Sequence, residues 1–71
     1  MRLKMLAKDG NSGDQGCPSC YVGDDMKVYV QADEAAPAAY DAAVNLLPGE
    51  RIVRLNPQVI LDAADRLRAR A

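Results

Sequence analysis

Histidine, tryptophan and phenylalanine are absent from this 71-residue chain, and its aromatics are three Tyr. Without His there is no Ser-His-Asp triad and no imidazole proton relay, and no Ser stands in a strand-turn-helix elbow. The chain is also short of length. It holds one small domain at most, with no room for separate cofactor and substrate domains, so an enzyme with a large cleft is excluded and no catalytic residues are expected. No stretch approaches 18 apolar residues, so no membrane-spanning helix is expected. The apolar pairs near the N-terminus fall far short of a secretory leader. These readings point to the cytoplasm, where Cys17 and Cys20 are expected as thiols.

What is present is ordinary for a folded chain: 49% hydrophobic and 27% charged residues. Much of the apolar share is Ala, so each buried position removes little area from water. A thin core at this size calls for a staple, a metal or a second subunit, and the expectation is a homodimer. The net charge of -1 is segregated: residues 1–8 carry +3, residues 9–50 carry -7 and residues 51–71 carry +3. This favours like chains meeting end to middle, and equally describes a solvated surface.

Residues 9–20 hold three of the five Gly with Asn, Ser, Asp and Pro and show neither strand nor helix period, which marks a loop. Before it, residues 3–7 form a short apolar segment that reads as a strand or as an arm. An N-terminal arm and Gly-rich loop (1–18) therefore precede a single small domain (19–71). Cys20-Tyr21-Val22 and Lys27 to Gln31, separated by Gly23-Asp24-Asp25, read as a β-hairpin with Val28 and Val30 on its buried face. Residues 33–47 are Ala-rich with acids in front, which predicts a helix holding Pro37 in its first turn and burying Tyr40, Val44 and Leu47. Residues 51–55 read as a strand. Asn56-Pro57 then announces a last helix running to about Arg70, with Ile60, Ala63, Ala64 and Leu67 on one face, Val59 beside them, and Asp62 paired to Arg66.

The sharpest motif is Cys17-Pro18-Ser19-Cys20. Two thiolates at this spacing can chelate zinc, but a tetrahedral site needs four ligands and the chain has neither His nor a second Cys pair. The remaining ligands would be carboxylates or come from a second subunit, the metal then being shared across a dimer. Redox use lacks the helix N-terminus that lowers such thiol pKa values, because a strand follows Cys20. The preferred reading is a pair of structural thiols, with no cofactor. Asp24-Asp25 belongs to a hairpin tip, since no calcium-loop spacing surrounds it. Gly10, Gly13 and Gly16 match neither phosphate-binding fingerprint. Arg66, Arg68 and Arg70 could touch nucleic acid, but i and i+2 lie about 200° apart on a helix and cannot form one face.

Cys17-Pro18, Tyr21-Val22, Asp24-Asp25, Val28-Tyr29-Val30-Gln31, Leu47-Pro48-Gly49-Glu50 and Pro57 to Leu61 occur in an order that resembles small actinobacterial regulatory and accessory proteins related to BldB, encoded near helix-turn-helix regulators. The likeness covers about residues 16–68, and Cys20 stands where the pattern calls for an apolar residue. The resemblance implies a cytoplasmic, dimeric accessory protein acting by protein contact, and it brings no catalytic residues.

The expected fold is α+β: an antiparallel sheet from residues 19–22, 26–31 and 51–55, covered on one face by the C-terminal helix. The expected function is contact with a transcription regulator, the interface drawing on Val28, Val30, Ile52, Val53, Ile60 and Leu67. The alternatives are DNA binding by the helix bearing Arg66, Arg68 and Arg70, and a metal or redox switch at Cys17 and Cys20.

Overall fold

Gly23 starts the reversal that organises the sheet. Its N–H donates to the Lys27 carbonyl at 2.9 Å, its carbonyl accepts from the Met26 N–H at 3.0 Å, and Met26 takes the left-handed conformation at φ 65°. A Cβ at position 23 would fall 2.6 Å from Asp25 Oδ1 and 2.7 Å from the Tyr29 ring, so any larger residue at this corner must displace the Asp25–Tyr29 pair. The computed structural model describes residues 1–10 and 18–70. On either side of the corner run β2 (Ser19–Gly23) and β3 (Val28–Gln31), paired antiparallel with Cys20 opposite Val30 and Val22 opposite Val28. The expected hairpin is there.

The third strand is not residues 51–55. It is β1 (Leu3–Lys8), which pairs antiparallel with β2 and makes the sheet order β1-β2-β3. The register slips between Met5, opposite Tyr21, and Ala7, opposite Cys20. The extra residue of this bulge is Leu6, which turns into the core. Residues 3–7 are thus a strand, and the segment expected ahead of the domain supplies an edge of its sheet.

Residues 51–55 go elsewhere. Only Val53 and Arg54 form a strand, β5, pairing with β4 (Asp33–Glu34) as a separate two-stranded ribbon. Asp33 falls opposite Arg54, and Arg51 Nη1 lies 3.4 Å from Glu34 Oε1, so opposite charges face each other across the ribbon. The two acids expected to open a helix over 33–47 are therefore strand residues. The helix that forms, α1 (Pro37–Ala42), begins at the predicted proline and lasts six residues. Val44 is 83% and Leu47 63% exposed, so the predicted Tyr40-Val44-Leu47 stripe does not exist. Ala supplies too little area to hold a longer helix against the chain, and no side chain caps its start. Asn45 and Gly49 then turn left-handed, at φ 58° and 90°.

Tyr40 instead ties α1 to the ribbon. The Ile52 N–H donates to Tyr40 Oη at 3.1 Å, and the hydroxyl donates to Glu34 Oε1 at 3.2 Å. Tyr40→Phe leaves that part-buried N–H without its acceptor. The expected loss is about 1 kcal/mol in urea unfolding, with β4 and β5 amides exchanging first.

The last helix, α2 (Pro57–Arg70), starts as predicted. Asn56 Oδ1 accepts the Gln58 N–H at 3.0 Å, and the Asn56 carbonyl accepts the Val59 N–H at 2.9 Å. It packs across β1 and β2, and its buried line is Val59 and Ala63 with Leu67 beyond. The expected stripe through Ile60 is rotated by one residue. The expected Asp62–Arg66 pair is replaced by Gln58 Nε2 donating to Asp62 Oδ1 at 2.8 Å and by Arg68 Nη2 on Asp65 Oδ1 at 2.5 Å. Among the described residues the core is Leu6, Cys20, Val22, Val59 and Ala63, with Ala7, Leu55 and Leu67 against it. The fold class is α+β, as expected: a three-stranded antiparallel sheet with a C-terminal helix on one face.

Candidate functional site

The side chains of Cys20, Val22, Val28 and Val30 share one face of the sheet, because directly opposed residues point the same way. Helix α2 covers β1 and β2 on that face and stops short of β3. Cys20 and Val22 are buried under it, whereas Val28 is 48% and Val30 42% exposed. Ile60 stands on the flank of α2 toward β3, 46% exposed. Between helix and strand runs a groove of about 180 Å³ lined by Leu6, Cys20, Val28, Ile60, Ala63, Ala64 and Leu67, every one apolar. It is an open strip of the hydrophobic core.

Of the six residues expected at an interface, three line this groove, Val28, Ile60 and Leu67, and Val30 lies on the same sheet face next to Val28 along β3. Ile52 and Val53 do not join them, since they belong to the ribbon beside Tyr40. The sequence identified the apolar face of β3 but not that α2 leaves it open.

Cys20 is 1% exposed and packed among Leu6, Val22, Val59 and Ala63, where burial pushes its thiol pKa up. The neutral thiol is favoured, and Cys20 serves as a small apolar side chain in the core. Cys17 lies outside the described residues, and with it the proposed cysteine pair. Among the described residues no three thiol or carboxylate side chains gather as a metal site would require.

The three late arginines diverge. Arg68 is engaged with Asp65. Arg66 borders a polar hollow of about 420 Å³ shared with Lys8, Asp62 and Asp65, and Arg70 borders another of about 320 Å³ with Arg2, Lys4 and Asp24. In both hollows carboxylates accompany the cations, so the helix offers no uniform basic stripe to a phosphate backbone.

The remaining polar feature is the hairpin tip. Tyr29 Oη donates to Asp25 Oδ2, and Asp25 Oδ1 accepts the Lys27 N–H at 3.0 Å. The Tyr29 hydrogen bond, then that of Lys27, hold the Asp25 carboxyl below its ordinary value of 3.8. The same hydrogen bond, received by a carboxylate, holds the Tyr29 phenol above 10.0. A depressed Asp contributes stability above its ordinary value, lost as pH falls through the depressed one; a raised Tyr contributes below its ordinary value, lost as pH rises through the raised one. The tip is therefore tightest between pH 3.8 and 10.0. Asp25→Asn is expected to bring the Tyr29 titration down toward its ordinary value of 10.0, read from tyrosinate absorbance.

The fold and the groove define a small α+β protein with an open apolar face. No protein family, curated protein or solved structure matches the chain. No helix among the described residues is long and apolar enough to cross a membrane.

Proposed function

We infer that this chain is a cytoplasmic accessory protein that works by protein contact, associating with a second copy of itself and engaging a transcription regulator of the helix-turn-helix class. The observation that carries the reading is the groove between β3 and α2: an apolar strip continuous with the core, uncovered in the single chain. Among the described residues five buried apolar side chains make a small core, and covering the strip enlarges it. The resemblance supplies the class of regulator, and the groove supplies a surface for contact. Divergence of Arg66, Arg68 and Arg70 speaks against direct DNA binding.

The test is affinity capture from native cytoplasm with the wild-type chain and with Val30→Glu, which charges the strip. Recovery of a helix-turn-helix protein by the wild type and its loss with the variant is the expected result. Recovery of no protein partner, while the pure chain shifts duplex DNA at about 0.15 M salt, overturns the reading.

A further inference from the structure

The two edges of the sheet are built differently. β1 carries Lys4 and Lys8 and is broken by the bulge at Leu6, the usual protections against strand addition. β3 has no register break against β2, carries no proline or charge within Val28–Gln31, and among the described residues no strand pairs with its outer side.

The hydrogen-bonding phase of β3 follows from the hairpin. The Gly23 N–H bonds the Lys27 carbonyl, so Gly23–Lys27 is a bonded pair; in an antiparallel ladder such pairs alternate. Val22–Val28 and Cys20–Val30 are then the unbonded pairs, and Tyr21–Tyr29 a bonded one. The Asp24 N–H, bonded to the Arg2 carbonyl at 3.0 Å, agrees, because it turns this phase of β2 toward β1. The backbone N–H and C=O groups of Val28 and Val30 therefore point away from the sheet, along its open edge.

Resting on the self-association read above, we propose that the second copy of this chain adds at that edge, β3 against β3 antiparallel, with a two-fold axis through Tyr29 and perpendicular to the sheet. Only this register sets Val28 of each copy opposite Val30 of the other, so that all four outward groups of each edge are bonded across the axis. Lys27 falls opposite Gln31 of the other copy, and no like charges are opposed within the strands. The axis keeps both α2 helices on one face of a six-stranded sheet. Their axes stand about four strand spacings apart, ~19 Å, so Val28 and Val30 of both copies floor one trough about a helix wide. That trough is the surface available to the regulator.

Packing the two apolar faces on each other serves less well. It would press the outward side of α2, with Gln58, Asp62, Asp65 and Arg68, onto the valines of the other copy and strip charged groups of water. A four-residue edge buries little area, below about 1,200 Å² in total, so association is expected at about micromolar strength.

The test uses variants of the full chain that also carry Cys17→Ser. Tyr29 sits at the unbonded position on the axis, where Cα atoms lie about 4.5 Å apart, within disulfide reach. Tyr29→Cys is expected to oxidise to a covalent dimer; paired samples of Lys27→Cys and Gln31→Cys are expected to cross-link only when mixed. Val30→Pro removes an N–H that β2 does not use, so the circular dichroism of the fold is kept while the dissociation constant rises at least tenfold. A wild-type chain that dimerises, with the Tyr29→Cys variant failing to cross-link or Val30→Pro dimerising as tightly, overturns the edge and leaves self-association standing. A wild-type chain that stays monomeric overturns both.

Discussion

Leu6→Ala is expected to leave the chain largely unfolded in water at 25 °C. Chains of this size hold about 3–5 kcal/mol from a single core, and truncating a buried Leu to Ala costs about 2–5 kcal/mol through lost transfer energy and the cavity left behind. Leu6 belongs to the core cluster with Cys20 and Ala63, and the bulge that aims it inward lies within the pairing of β1 with β2. Collapse of the cavity is hindered because the neighbouring Ala63 and Ala7 have no reach. The expected observation is loss of the cooperative thermal transition in circular dichroism, with the mutant regaining it in an osmolyte that favours burial. A shift of the midpoint by a few degrees only would show that the core extends beyond these residues.

Val30→Glu is expected to act on association and not on folding. Val30 is already 42% exposed in the single chain, so the monomer loses little beyond strand preference, under about 1 kcal/mol. In the dimer the same carboxylate stands in the open trough opposite Val28 of the other copy, where it replaces a favourable β-branched cross-strand pair on each side of the axis. A dimer weaker by about tenfold, about 1.4 kcal/mol, is the expected result, measured by sedimentation alongside a monomer unfolding curve shifted by less than about 1 kcal/mol.

Residues with a local cause for their structure were legible in the sequence. Asn56-Pro57 opens α2 where capping chemistry puts it, and Gly23-Asp24-Asp25 turns the hairpin. The face of β3 that Val28 and Val30 share was readable from alternation alone. What failed depended on partners far along the chain. Leu3 to Lys8 has no clear period because the bulge at Leu6 breaks it, and the resulting strand took the place expected for residues 51–55. Asp33 and Glu34 look like helix openers until Arg51 and Arg54 are brought beside them. Ile60 was placed on the apolar face with Val59 beside it; one residue of rotation on α2 buries Val59 instead and leaves Ile60 beside the groove. Cys20, read first as a structural thiol with metal and redox use as alternatives, is buried in the core as a small apolar side chain. The groove itself exists because α2 covers two strands of three, a matter of packing that no local pattern encodes.

Sedimentation equilibrium of the purified wild-type chain over about 5–500 µM, a range that brackets the micromolar association expected of a small interface, tests most directly the claim that this face is completed by a second copy. The expected mass climbs from 7.6 kDa toward twice that value across this range. A single species of 7.6 kDa at every concentration would contradict it.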